Sequence, residues 1–546
     1  MVRKLLLLIV AVPAAVLIMF AGAPTASAHA VLVGSNPLDG SRLDSVPDQV
    51  TLRFDEPVRI VTGGTTVLST AGGRVDTGRP SAADGGRVVI IALRGTGTRA
   101  ATYLVSYRIV SADGHVVVGS IRFGVGEDPA AVTQPAQGGA GPPGVISAIG
   151  TGLTYAGVIG AIGCLAVGLL VWPSVLRSDR LRPVIIGGPL LIMVGTIAEL
   201  LAATPAAEGT GLRGMLQPQN LPFTLIGQQG RLLAARFTLA AALLPLGAAI
   251  RPTRGQPGGD RVLQGAWWIA SVGLLITVAA SGHGFAGAQR WVALPATAVH
   301  LAAMAFWIGG VIDLVLVIRP RLRTLPRGAA AIVDGWSRRA FLAVAALVLS
   351  GEILAWRQVQ PIEALWRTPY GITLLVKLGL AAAAVIIGWT GSRVAARRRD
   401  AAGTQRSMII ELVIMALVVA AATVLSATPP AKDRYGPSVS VSAPFARDRL
   451  QISIPDTRRG PQRITVTAVD DSGRRVAIHR LAGRLSSSDA RVAAVDVRFV
   501  AAGGEWRSVD ATAPLPGLWR LELTVTPGTA SGTGPTYVTA AEYRVW

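Results

Sequence analysis

The chain has 546 residues, 51% of them hydrophobic, and a mean hydropathy of +0.49; it is too apolar for one soluble globule and reads as a membrane protein with soluble parts attached. Its 52 Lys and Arg against 31 Asp and Glu give a formal charge of +21. In a soluble protein that excess would point to nucleic acid, but here most arginines sit in loops between long apolar runs, which is the positive-inside signature, so no nucleic-acid partner is expected. The single cysteine, Cys164, lies in one of those runs. It excludes an internal disulfide and a thiolate metal cluster, leaving metal chemistry to nitrogen and oxygen.

Residues 1–28 read as a secretory signal: Arg3 and Lys4, an apolar core from Leu5 to Phe20, then Ala26-Ser27-Ala28 as a small-residue cleavage site. A retained anchor helix is the alternative, because the core is long for a signal. Cleavage after Ala28 makes His29 the first residue, so one residue offers an α-amine and an imidazole to a metal. Copper(II) favours such tetragonal nitrogen and oxygen ligation.

From His29 to Gly126 the runs QVTLRF, RVVIIAL, ATYLVSYRIV and HVVVGSIRFGV alternate apolar and polar residues between turn residues, predicting a small all-β sandwich or barrel. Between the last two runs stands SADGH, which sets Asp113 and His115 two apart. On extended backbone such residues face one side, so a carboxylate and an imidazole can converge on one ion. Alone, a D-x-H is commoner as turn chemistry than as a metal site.

The segments AHAVLVGSNPLDGSRL, PDQVTLRFDEPVR and ATYLVSYRIVSADGHVVVGSIRFGV resemble the CopC family of periplasmic copper-binding proteins. The resemblance implies a Greek-key β-sandwich with a copper(II) site built from the N-terminal histidine and the D-x-H pair, here His29, Asp113 and His115. Some relatives add a methionine-rich copper(I) site. Residues 29–126 contain no methionine, so copper(II) alone is expected there. Residues 127–144, EDPAAVTQPAQGGAGPPG, follow as a flexible linker.

From 145 to 428 the apolar runs are long enough to cross a bilayer, near 146–172, 183–203, 231–250, 264–282, 291–318, 340–357, 371–391 and 407–427. Alternate loops carry 17 arginines against 4, which predicts that both ends of this eight-helix bundle lie outside the cytoplasmic membrane. Within it, SGHGFAGAQRWVALPATAVHLAAMAFWIGG (Ser281 to Gly310) places two of five histidines in or beside a span. His283 falls at its outer mouth. His300 lies about 15 Å deep at helical rise, where an ionisable group is a functional candidate. Met304, one turn on, offers a soft thioether to copper(I), and Trp307 continues the stripe. Glu199, Glu352 and Lys377 also fall in the outer half, the last two as an expected ion pair between neighbouring helices.

The motifs SGHGFAG, AVHLAAMAFWIGG and TPYGITLLVKLGL resemble CopD, the inner-membrane partner of CopC. The resemblance implies copper movement across the membrane, generally import, with His283 and His300 as ligands. From 429 to 546, runs such as SVSVSAPF, LQISIP, RITVTAVD, WRLELTV and AAEYRVW predict a second extracytoplasmic β-sandwich with Trp519 in its core. This domain is a candidate surface for an extracytoplasmic protein partner. His479 stands there without a second ligand.

The expected function is therefore copper capture outside the cytoplasmic membrane and delivery to or across it, by a multi-pass, non-enzymatic protein in contact with copper and lipid. A copper sensor or sequestering protein without transport is the main alternative, since no ATPase motif is present. A histidine-brace oxygenase is the remote one; a carboxylate ligand and a membrane tether argue against it.

Overall fold

The computed structural model describes residues 30, 32–61, 64–69, 73–94, 100–111, 116–127, 129, 141–208, 211–215, 228–250, 261–281, 290–318, 326–398, 401–489, 492–509, 511–513, 515–528 and 535–546. They fall into two compact units, one helical, from 141 to 431, and one β-rich, formed from the described residues before 137 and after 432.

In the β-rich unit the N-terminal strands are β1 (Leu32–Asn36), β2 (Ser41–Leu43), β3 (Gln49–Phe54), β4 (Val58–Ile60), β5 (Thr66–Ser69), β6 (Gly73–Arg74), β7 (Ser81–Ala83), β8 (Val88–Ala92), β9 (Ala101–Ser111) and β10 (Val116–Val125). They build two sheets, ordered β1-β3-β8-β7 and β2-β10-β9-β5-β6, with β4 also on β9. The alternation read in the sequence is what divides them: in β3, Val50, Leu52 and Phe54 are buried while Gln49 and Arg53 are exposed. The inward residues of both sheets form one core, including Ile91, Val105, Ile109 and Ile121, with Tyr103 stacked on Phe123 at 5.0 Å. Each such side chain contributes about 1.5–3 kcal/mol by leaving water. β9 and β10 pair antiparallel from Val110↔Val116 to Ala101↔Val125, and Gly119 faces Tyr107, where a Cβ would overlap the phenol.

The C-terminal strands are β11 (Val439–Phe445), β12 (Asp448–Ile454), β13 (Gly460–Pro461), β14 (Thr465–Val469), β15 (Arg475–Val476), β16 (Ile478–Ser487), β17 (Val492–Ala502), β18 (Glu505–Ser508), β19 (Thr512–Ala513), β20 (Gly517–Pro527) and β21 (Tyr537–Val545). The facing layers of the expected sandwich are parts of one sheet, β11-β12-β14-β18-β17-β16-β20-β21, which curls until β11 comes beside β21 and nearly closes. Trp519 is fully buried in its core, and its indole N–H donates to the Leu515 carbonyl at 3.0 Å. His479 is exposed. Arg459 links this part to the N-terminal sheets, reaching Asp433 at 3.0 Å and Asp55 at 4.0 Å.

The helical unit contains α1 (Gly141–Val158, continuing as a π-helical segment Ile159–Cys164 and then Leu165–Leu170), α2 (Arg182–Glu208), α3 (Gln228–Ala249), α4 (Arg261–Ala280), α5 (Arg290–Asp313, continuing as a π-helical segment Leu314–Ile318), α6 (Pro326–Gln358), α7 (Pro369–Arg398) and α8 (Ala401–Ala427). All eight are long and apolar enough to cross a membrane. The sixth begins well before its apolar run, so Arg327, Arg338 and Arg339, expected in a loop, lie on helix. Among the helices α1 packs on α2, α5 on α6 and α7 on α8, while the π segment of α1 packs on α5. At that last contact both backbones carry glycine: a Cβ on Gly309 would sit 2.5 Å from the Gly163 carbonyl carbon. Small residues of this kind let helices approach closely where lipid supplies no hydrophobic drive.

Candidate functional site

Of the residues singled out in the sequence, His29, Asp113, His115 and His283 lie outside the described residues. Their chain neighbours are placed: Ala30 is buried in the N-terminal core, and Ser111 ends β9 where Val116 begins β10. His300 and Met304 are described. Met304 is buried among the helices, one turn along α5 from His300.

The His300 ring lies against α6, with Nδ1 at 3.0 Å from the Ser350 hydroxyl oxygen. That hydroxyl carries one proton, and it donates it back along its own helix to the Ala346 carbonyl at 2.6 Å. It therefore accepts from the imidazole, which puts the ring proton on Nδ1 and the free lone pair on Nε2. The Leu347 carbonyl lies 3.3 Å from the same hydroxyl and within hydrogen-bonding reach of the His300 ring. Gly351 keeps this edge close, since a Cβ there would stand 3.2 Å from His300 Cε1. A hydrogen-bonded Nδ1–H opposite a free Nε2 is how proteins orient a histidine toward a metal.

The expected ion pair between Glu352 and Lys377 is not formed among the described residues; Lys377, on α7, is instead near enough to His300 to act on it electrostatically. Which residues of two apolar helices meet is set by the rotation of each helix about its axis, which a uniformly apolar sequence does not encode.

Glu199 belongs to a network that hydropathy did not reveal. Its Oε2 accepts from Arg236 Nη1 at 2.8 Å and its Oε1 from the Thr151 hydroxyl at 3.0 Å, while Arg236 Nη2 donates to the Ser281 hydroxyl at 2.6 Å. Four helices are tied by this one buried pair, whose side chains are 2% and 10% exposed. Its far end is Ser281, two residues before His283. Arg236 was legible in principle, as an arginine among the apolar residues of α3, yet it went unread. Ser350 carried no comparable signal, since serine is common in membrane helices.

The CopC domain family matches residues 32–126, and the family described as Copper resistance protein D (CopD) matches residues 330–425. The second match includes Ser350 and Lys377 but begins after His300 and after the two motifs that precede α6. The chain is similar to the Copper transport protein CutJ of Bacillus subtilis (strain 168), 27% identical over 466 residues, which span 82% of this chain and 83% of that protein. Among solved structures it is similar to CopC from Methylosinus trichosporium OB3b, at 27% identity over 19% of this chain and 100% of that one, with a TM-score of 0.15. It is also similar to PcoC, a methionine-rich copper resistance protein from Escherichia coli, at 23% identity over 18% of this chain and 98% of that one, with a TM-score of 0.15. The chain thus contains a segment that matches the CopC domain family followed by one that matches the CopD family, in one polypeptide.

Proposed function

We propose that this protein captures copper(II) outside the cytoplasmic membrane and passes copper inward through its helical unit. Capture is by His29, through its α-amine and imidazole, together with Asp113 and His115. Onward transfer is by His283 at the outer mouth and His300 within the bundle, with Met304 as a further donor. Both β-rich ends are read as extracytoplasmic on the bias of the loop arginines. No chemical transformation is assigned to the chain.

The observation that supports this reading best is the His300–Ser350 bond. The bond to Ser350 fixes the ring and, in this tautomer, leaves the lone pair on Nε2. A copper ligand needs that lone pair free and the ring held still. Relatives named for copper transport and copper resistance fit the same assignment.

Radiolabelled copper uptake into vesicles, comparing the parent with His300→Ala and His283→Ala, tests it. Loss of uptake in the first and a raised half-saturating concentration in the second are expected. Normal uptake in both, with copper(II) still bound outside, would favour sensing or sequestration.

A further inference from the structure

Thirteen residues along α5 from His300, about 20 Å at helical rise, Asp313 is fully buried, with 0% exposure. Neither of its carboxylate oxygens has a hydrogen-bond partner among the described residues. No lysine or arginine there is close enough to act on it; its neighbour is the thiol of Cys164, also fully buried. That thiol lies 3.6 Å from the Gly309 carbonyl and also beside the Asp313 carboxylate, so one weak S–H donor is shared between two acceptors.

The two residues also stand where their helices change winding. Cys164 closes the π-helical segment of α1, and Asp313 immediately precedes the π-helical segment of α5. Such segments break the regular hydrogen-bond ladder and concentrate at functional sites. The seam of Gly163 and Gly309 brings the two backbones close enough for the side chains to meet. A buried carboxylate with only a thiol beside it and no countercharge costs several kcal/mol unless a proton or a cation neutralises it. Sulfur, carboxylate and carbonyl oxygen together form a donor set in which the thiolate selects a soft cation over sodium, potassium or magnesium.

We propose that Cys164 and Asp313, with the Gly309 carbonyl, form a second cation site in the helical unit, built for a thiophilic monovalent ion of the copper(I) class. On binding, the Sγ–H bond breaks, an Sγ–Cu bond forms, the proton passes to the Asp313 carboxylate so that the site carries no net charge, and copper stays in the +1 state. The choice of copper rests on the proposed transport function; the cation site itself rests on the unmatched carboxylate and the adjacent thiol.

The test is an anaerobic titration of the full chain in lipid nanodiscs with chelator-buffered copper(I), followed by the thiolate-to-copper charge-transfer absorption. The chain has one cysteine, so any such band reports Cys164. One equivalent of band is expected in the parent chain, none in Cys164→Ser, and at least tenfold weaker binding in Asp313→Asn. Absence of the band in the parent chain, or unchanged affinity in Asp313→Asn, overturns the site. The parent-chain measurement does not depend on any variant folding. Because the band is an equilibrium property, it also separates the two proposals. A band without copper uptake sinks transport and keeps the site; His300-dependent uptake without a band does the reverse.

Discussion

Ser350→Ala removes the oxygen that accepts the His300 Nδ1–H at 3.0 Å. A hydrogen bond between membrane helices is worth about 0.6 kcal/mol on average and about 1.7 at most, so the bundle should lose little stability. The effect on copper is larger. Removing the group that orients a ligating histidine costs about 10- to 100-fold in metal affinity. The Leu347 carbonyl lies within hydrogen-bonding reach of the ring and can hold it in part, which places this variant near the tenfold end. In vesicles, the copper concentration for half-maximal uptake should rise about tenfold, with melting in detergent nearly unchanged. Gly351→Ala, which drives a methyl toward Cε1 of the same ring, should act in the same direction. Uptake unchanged in Ser350→Ala would mean that the ring orientation described here plays no part in moving copper.

Glu199→Leu leaves Arg236 buried without its partner and should cost about 3–5 kcal/mol of bundle stability, most of it regained in the double variant Glu199→Leu, Arg236→Leu; equal melting of parent and single variant would count against this. In the β-rich unit, one extra residue ahead of His29, or Asp113→Ala, or His115→Ala, should weaken copper(II) binding while the metal-free melting temperature stays put. A collapse of apo stability would make the pair structural. Although burial pushes the Asp76 carboxyl up, hydrogen bonds from Arg74 and from the Val67 and Gly78 N–H groups outweigh it and hold the group below its ordinary value. Its contribution is then complete above the unfolded value of about 3.9 and is lost as pH falls through the lower folded one. Protection of the Val67 amide, corrected for its intrinsic exchange rate, should therefore fall on acidification below about pH 4, and in Asp76→Ala it should be low already at neutral pH; identical protection in both proteins would remove Asp76 from that role.

The eight membrane helices were legible because each needs about 20 apolar residues in a row, a signal that survives without knowing any neighbour. The strands were legible for a similar reason: QVTLRF and ATYLVSYRIV write the inside and outside of a sheet in alternate letters. What alternation does not specify is how far a sheet curls, so a single nearly closed C-terminal sheet and two separate layers read alike. The failures inside the bundle share one cause. His300 was conspicuous by its type, but Ser350 and Asp313 matter through what they face across a helix boundary. Facing depends on each helix's rotation, about 100° per residue, which a helix apolar on all sides leaves unwritten. The same gap turned Glu352 and Lys377 into an expected pair. Arg236 and Glu199, an equally plausible pair on adjacent spans, went unread as one.

The most direct measurement is copper accumulation in sealed vesicles carrying the full chain, parent against His300→Ala, normalised to folded protein in the membrane. The variant should fold, with a loss no larger than about 1.7 kcal/mol, should keep copper(II) capture by the N-terminal domain, and should accumulate no copper above protein-free vesicles. Accumulation at the parent's rate by a folded His300→Ala would show that copper does not travel by this histidine and would contradict the account at its centre.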